Sequence, residues 1–268
     1  MTDQPTAIIT GASQGIGAET AREFGRRGYA VTLTARNREN LDSVADDIRV
    51  AGGKALVLAG DLCDLDFAES VIDATIKEFD RIDVLVNNAA WRDVVTMRNI
   101  TKESWERTLR IALTTPAFMA RWAAVQMEKQ GSGVIINISS TMSERAGGMS
   151  PAYEACKGGL NSLTYELSAL YGPTGIRVVG VNPGAIDTEM SNDYTDEENT
   201  AEMHSTMCGM TPLRRFGQPV EMARTIAWVA SDEASFITGT CIVADGGIQT
   251  QLHPSNMQHL TFPDEFDR

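Results

Sequence analysis

Cysteine and histidine are scarce in this sequence. Only four cysteines and three histidines occur among its 268 residues. The cysteines are far apart and form no Cys-x-x-Cys pair; they are Cys63, Cys156, Cys208 and Cys241. We therefore expect neither a metal site nor a disulfide framework, and this cysteine usage is typical of a reducing compartment.

Long apolar runs and an excess of positive charge are also missing. No stretch approaches the roughly 20 apolar residues that span a bilayer. Residues 1–5 lack the basic and apolar regions of a signal peptide. The formal net charge of −13 argues against non-specific nucleic-acid binding. We therefore expect a cytoplasmic protein with a small-molecule partner, and no nucleic-acid or membrane partner.

Short apolar runs that alternate with helical patterns make up most of the chain. The length suits one large α/β domain or two small ones. We predict strands near residues 6–10, 29–35, 54–59, 82–87, 133–139, 176–182 and 240–244. Most of these runs are continuously apolar, as in parallel strands that are buried on both faces. The pattern predicts an α/β fold with a doubly wound, seven-stranded parallel sheet and helices on both faces.

The segments between the strands carry helix signals. Asp64 is placed to cap a helix that runs to about Phe79. Apolar residues recur every three or four positions between 105 and 127, which predicts one long helix. Pro219 suits the first turn of another helix. Residues 189–217 and 252–268 are predicted to be irregular.

A glycine-rich turn joins the first strand to the first helix. It reads Thr-Gly-x-x-x-Gly-x-Gly from residue 10 to residue 17. Glycine permits close backbone approach, and amides at a helix start favour an anion such as pyrophosphate. The spacing differs from the usual Gly-x-Gly-x-x-Gly fingerprint, so a plain tight turn is the alternative. The candidate cofactor-binding residues here are Gly11, Ser13, Gln14, Gly15, Ile16 and Gly17.

Ligands of a doubly wound sheet bind beyond the carboxyl ends of its strands. Strand two ends at Ala35, which cannot accept hydrogen bonds from the ribose hydroxyls of adenosine. Arg36 can instead pair with a 2′-phosphate, which favours NADP over NAD unless Arg36 is a solvated loop residue. Further candidates follow other strands: Asp61, Leu62, Asn88, Ala89, Ala90, Pro183, Gly184, Ile186 and Thr188.

Three residues near strand five suggest acid–base chemistry. Tyr153 and Lys157 are one helical turn apart, so their side chains share a face. A nearby ammonium lowers the pKa of a tyrosine, which can then exchange a proton with a carbonyl or an alcohol. Ser140 is placed to hydrogen-bond the same oxygen. An ordinary surface pair is the alternative for Tyr153 and Lys157.

Taken in order, these motifs resemble the short-chain dehydrogenase/reductase family, and more closely its 3-oxoacyl-(acyl carrier protein) reductases. The resemblance covers residues 6–248. Its motifs are Thr10-Gly-x-x-x-Gly-x-Gly17, Asp61-Leu62, Asn87-Asn88-Ala89, Ser140, Tyr153-x-x-x-Lys157, Asn182-Pro183-Gly184 and Asp245-Gly246-Gly247.

The resemblance implies one Rossmann domain over residues 1–251, followed by a tail over 252–268. It also implies NAD(P) as cofactor and hydride transfer to or from a carbonyl carbon. In these roles Ser140 holds the substrate oxygen and Tyr153 is the general acid/base. Lys157 binds the nicotinamide ribose and tunes Tyr153. Residues 189–217 correspond to a substrate lid. The helices near 101–130 and 153–171 correspond to those that pair in a homotetramer, and a dimer through the same helices is the alternative.

Two residues depart from the family pattern. Ala90 replaces a glycine, and Ala112 replaces an asparagine that helps to hold a water on the proton relay. A backbone carbonyl can bind that water instead if the helix kinks at Ala112, which Thr114-Thr115-Pro116 would favour. Otherwise the relay is impaired, and a non-catalytic NAD(P)-binding protein is the alternative function.

The substrate pocket is predicted to be mainly apolar, because methionines are frequent around it. Core or subunit contacts are the alternative for these methionines. They are Met142, Met149, Met190, Met203, Met207 and Met210. Arg92 and Arg145 are candidates for binding an acidic substrate group. Trp91 and Arg92 lie either at the pocket rim or on the surface.

Overall fold

The computed structural model describes residues 4–192, 197–254 and 256–266. Seven strands form one sheet. They are β1 (Thr6–Thr10), β2 (Ala30–Ala35), β3 (Lys54–Ala59), β4 (Val84–Asn87), β5 (Gly133–Ile138), β6 (Ile176–Pro183) and β7 (Thr240–Ala244). All pairs are parallel, in the order β3-β2-β1-β4-β5-β6-β7. The predicted fold class is confirmed, and strand ends differ from prediction by at most two residues.

Helices cover both faces of the sheet. They are α1 (Gly15–Arg26), α2 (Arg38–Val50), α3 (Leu65–Phe79), α4 (Lys102–Leu109), α5 (Thr115–Gln130), α6 (Pro151–Tyr171), α7 (Glu189–Asn192), α8 (Glu197–Met210), α9 (Pro219–Ala230), α10 (Asn256–Thr261) and α11 (Pro263–Phe266). Asp64 caps α3 by accepting from the amides of Asp66 and Phe67, as predicted. Pro219 lies in the first turn of α9.

Two apolar cores lie on opposite faces of the sheet. Phe24 of α1, Leu41 of α2 and Ile226 of α9 are fully buried in one core. Ile72 of α3 and Met119 of α5 are buried in the other. Both faces of the central strands are therefore covered, which explains why those strands are continuously apolar. Among the described residues, no helix combines the length and apolarity needed to cross a membrane.

Three predictions about helices need correction. The predicted long helix is interrupted, because residues Arg110–Thr114 form a π-helix between α4 and α5. Residues 189–217 are largely helical rather than irregular, since they contain α7 and α8, although residues 193–196 lie outside the described residues. The tail also contains two short helices, α10 and α11.

The sheet order reverses between β1 and β4, which creates a crevice beyond their carboxyl ends. The loops that follow the strands line this crevice.

Candidate active site

One cavity of about 1410 Å3 occupies the crevice. The predicted cofactor-binding residues and the predicted catalytic residues both line it, so the structure brings the two groups together. They are Gly11, Ser13, Gln14, Gly15, Ile16, Arg36, Asp61, Leu62, Asn88, Ala89, Ala90, Ser140, Tyr153, Lys157, Pro183, Gly184, Ile186 and Thr188. Gly17 is the exception among the predicted residues, because it packs beneath the turn and does not line the cavity.

The glycine-rich turn requires glycine at specific points. Gly11 has a φ of 67° and Gly15 a φ of 54°, both in the left-handed region. A Cβ at Gly11 would lie 2.9 Å from the Cα of Ala89, and one at Gly17 only 2.1 Å from the Gly11 carbonyl oxygen. Gln14 precedes α1, and within the described chain its side chain makes no cap hydrogen bond. The amides that begin α1 thus fit a diphosphate group in the cavity.

Asn88 has a structural role that the sequence analysis missed. Its Nδ2 donates to the carbonyl oxygens of Thr10, at 2.9 Å, and Gly11, at 3.3 Å. The Thr10 hydroxyl accepts in return from the amides of Asn88 and Ala89, both at 2.9 Å. The end of β4 is therefore fixed to the glycine-rich turn, which holds the turn's shape.

Asp61 has a partner that lies far from it in sequence. One carboxylate oxygen accepts from Arg107 at 3.2 Å, and the other accepts from the Cys63 amide at 2.9 Å. Asp61 lines the cavity as expected, and Arg107 neutralises its charge.

Tyr153, Lys157 and Ser140 line the same cavity. Tyr153 and Lys157 lie on the buried face of α6, and Ser140 lies two residues after the end of β5. The Lys157 Nζ atom lies 5.2 Å from the Tyr153 ring centroid and donates to the Ile138 carbonyl at 2.6 Å. Burial lowers the pKa of Lys157 to about 8.

A buried network supports the turn that carries Ser140. The Ser143 hydroxyl donates to the Ser140 carbonyl at 2.6 Å. It also accepts from the side-chain amides of Asn161, at 2.8 Å, and Asn182, at 3.4 Å. Three segments distant in sequence therefore fix the Ser140 backbone, and no local pattern signals this.

A model of a family described as enoyl-(acyl carrier protein) reductase matches residues 11–249. The cis-4-hydroxycyclohexanecarboxylate dehydrogenase of Sinomonas cyclohexanicum is 36% identical over 242 residues, covering 90% of this chain and 95% of that protein. A crystal structure of a short-chain type dehydrogenase/reductase from Mycobacterium marinum matches with a TM-score of 0.84. It is 33% identical, and the match covers 91% of this chain and 95% of that one. This protein belongs to the short-chain dehydrogenase/reductase family.

A further similar structure is that of an actinorhodin polyketide ketoreductase variant with NADPH. Its TM-score is 0.88 at 29% identity, covering 92% of this chain and 98% of that one. As a short-chain dehydrogenase/reductase, the protein is an NAD(P)-dependent oxidoreductase. The cavity's glycine-rich turn and strand ends fit this cofactor, and the non-catalytic alternative is not favoured.

Ala112 lies in the π-helical turn between α4 and α5 of this short-chain dehydrogenase/reductase. It is fully buried and lies inside the π-helix Arg110–Thr114. A π-turn shifts the backbone hydrogen bonds by one residue, which changes the pairing of nearby carbonyls. The Thr115 hydroxyl donates to the Leu62 carbonyl at 2.6 Å and anchors the following turn. The helix therefore departs from regular α-helical geometry at Ala112 itself, just before Pro116.

The wall of the cavity beyond Ser140 is rich in methionine. Met142, Met149, Met190, Met203, Met207 and Met210 all line it. Trp91, Arg92 and Arg145 line it as well, so Trp91 and Arg92 are at the pocket and not elsewhere on the surface. His204 also lines the cavity and stacks on Phe216, with ring centroids 4.3 Å apart. No motif in the sequence places His204 in this wall.

Proposed function

We propose that the protein interconverts a ketone and a secondary alcohol, with NADP(H) as the preferred cofactor. The observation that carries this proposal is the placement of Ser140, Tyr153 and Lys157 in the same cavity as the glycine-rich turn. When bound, the nicotinamide would supply or accept the hydride. The cofactor would be held by the candidate residues of the glycine-rich turn, by the residues that follow β2, β3 and β4, and by residues 183–188.

The protein's own residues handle the proton and the developing charge. Ser140 donates a hydrogen bond to the carbonyl oxygen, and Tyr153 gives that oxygen its proton during reduction. Lys157 stabilises the resulting phenolate, because its ammonium lies 5.2 Å from the Tyr153 ring centroid. In oxidation, Tyr153 takes the proton from the alcohol instead.

The proposed substrate is bulky and mainly apolar. The six methionines on the cavity wall provide an adaptable apolar surface. Residues 189–217, which we propose as the lid, contribute four of them. The similarity to a dehydrogenase named for a hydroxycyclohexanecarboxylate supports a cyclic secondary alcohol, and Arg92 and Arg145 are placed to bind an acidic substituent.

The NADP preference is testable at Arg36. Replacing it by alanine removes the cation at the end of β2. The Arg36→Ala variant should lose about 1.5–3 kcal/mol of NADPH binding free energy, as for a hydrogen bond to a charged group. Its NADH affinity should stay within about twofold of wild type, because NADH has no 2′-phosphate. Calorimetric titration of both cofactors measures these affinities.

Arg38→Ala is the matched control. Arg38 lies two residues away and pairs with Asp42 at 2.9 Å, so its loss should leave both affinities unchanged. Tighter wild-type binding of NADH, or an unchanged NADPH affinity in Arg36→Ala, would contradict the preference.

We also propose a homotetramer in the cytoplasm. Helices α5 and α6 leave apolar side chains exposed: Phe118, Val125, Tyr165 and Leu170. Burying these side chains against another copy would stabilise an assembly. The tail carries exposed Leu260 and Phe262, which suit contact with a neighbouring subunit. Four free thiols suit a reducing compartment. Light scattering of the purified protein measures the subunit number.

A further inference from the structure

Trp91, which lines the cavity, is close to two arginines. The guanidinium carbon of Arg36 is 5.5 Å from the centroid of the indole ring. That of Arg107, which belongs to α4, is 4.9 Å away. Both distances are within the range of a cation–π contact. Three segments distant in sequence therefore converge on one aromatic ring.

The two arginines differ in their other contacts. Arg107 pairs with Asp61 at 3.2 Å, so the one nearby carboxylate of this cluster is already neutralised. Within the described residues, Arg36 makes no hydrogen bond or ion pair through its side chain, and the indole ring is its contact. The cluster of Arg36, Arg107 and Asp61 carries an excess positive charge, which is located on Arg36.

We propose that Trp91 is a specificity-determining residue that positions Arg36 for the 2′-phosphate of NADPH. This inference rests on the proposed NADP preference. A guanidinium packed against an aromatic ring keeps its in-plane N–H donors free for phosphate. Its rotamers are restricted before the cofactor binds, so less entropy is lost on binding. Arg107 fixes the ring and prevents Asp61 from repelling the phosphate.

The affinities of NADPH and NADH, measured by calorimetry, test this role. Trp91→Leu removes the aromatic face, and Trp91→Met does so in parallel in case the first variant does not fold. The loss of a cation–π contact predicts an NADPH affinity about 3- to 20-fold weaker. The NADH affinity should stay within about twofold, and Trp91→Phe should retain most of the NADPH affinity.

A double substitution shows whether Trp91 acts through Arg36. In the Arg36→Ala background, Trp91→Leu should cause no further loss of NADPH affinity, because coupled residues are not additive. Trp122→Leu is the control, since Trp122 lies on α5 and packs near Phe118; it should change neither affinity.

Each outcome bears on a different claim. An equal loss of NADPH and NADH affinity in Trp91→Leu, or additive losses in the double variant, would overturn the role of Trp91. Equal wild-type affinities for the two cofactors would contradict the proposed NADP preference instead. In that case a selective NADPH loss in Trp91→Leu would still support the role of Trp91, and a non-selective loss would overturn it.

Discussion

Tyr153→Phe is expected to lower turnover at least about 100-fold, the usual scale for a lost general acid. The substitution keeps the ring in its buried position and removes only the hydroxyl, so NADPH affinity should stay near that of wild type. The reason is geometric, since Tyr153 lies beside Lys157 and lines the same cavity as Ser140. Steady-state turnover on any ketone that the wild type reduces measures the effect.

Tyr165→Phe provides the matched control for this prediction. Tyr165 is on the same helix but is 47% exposed and does not line the cavity. Turnover of this variant should equal that of wild type. Equal rates for Tyr153→Phe and wild type would remove Tyr153 from the mechanism.

Lys157→Met is expected to abolish most turnover and to change how stability depends on pH. Burial lowers the pKa of Lys157 from 10.5 to about 8, so the folded protein holds this proton less tightly than the unfolded chain. Below pH 8 the full cost of burying the charge is present. As pH rises from about 8 to 10.5, the lysine becomes neutral in the folded state first, and wild-type stability gains up to about 3 kcal/mol.

Urea unfolding of both proteins at pH 7 and pH 10 measures this difference. Methionine carries no charge, so the variant should lack this gain in stability. Between pH 7 and pH 10, the free energy of unfolding of wild type should rise relative to that of the variant by about 1–3 kcal/mol. The comparison with the variant is needed because burial raises the pKa of Cys156 to about 11, and this thiol opposes the gain in both proteins. Parallel pH profiles of stability would contradict a charged, buried Lys157.

The sequence predicted those features that depend on neighbours in the chain. Apolar runs located all seven strands, and most of these runs are continuous because burial on both faces of the central strands leaves no alternation. The one-turn spacing of Tyr153 and Lys157 placed both on one helix face, where the structure has them. The order of the motifs along the strand ends indicated the shared cavity.

Features that depend on distant segments were not predictable in this way. The Asn88 contacts with Thr10, the Arg107 pair with Asp61 and the Ser143 network each join residues far apart in sequence. Only the three-dimensional structure brings such partners together. Helix α8 is a different case, since Met203, Met207 and Met210 recur at helical spacing. That signal was present in a segment that we expected to be irregular.

Transfer of deuterium from C4-deuterated NADPH tests the central claim most directly. The wild-type protein is incubated with the labelled cofactor and an apolar cyclic ketone, and the product is analysed by mass spectrometry. We predict deuterium on the carbinol carbon of the product alcohol, with the label strongly reduced in Tyr153→Phe over the same time. A panel of such ketones that yields no labelled alcohol, while an α,β-unsaturated thioester gains deuterium on its β-carbon, would contradict carbonyl reduction as the reaction.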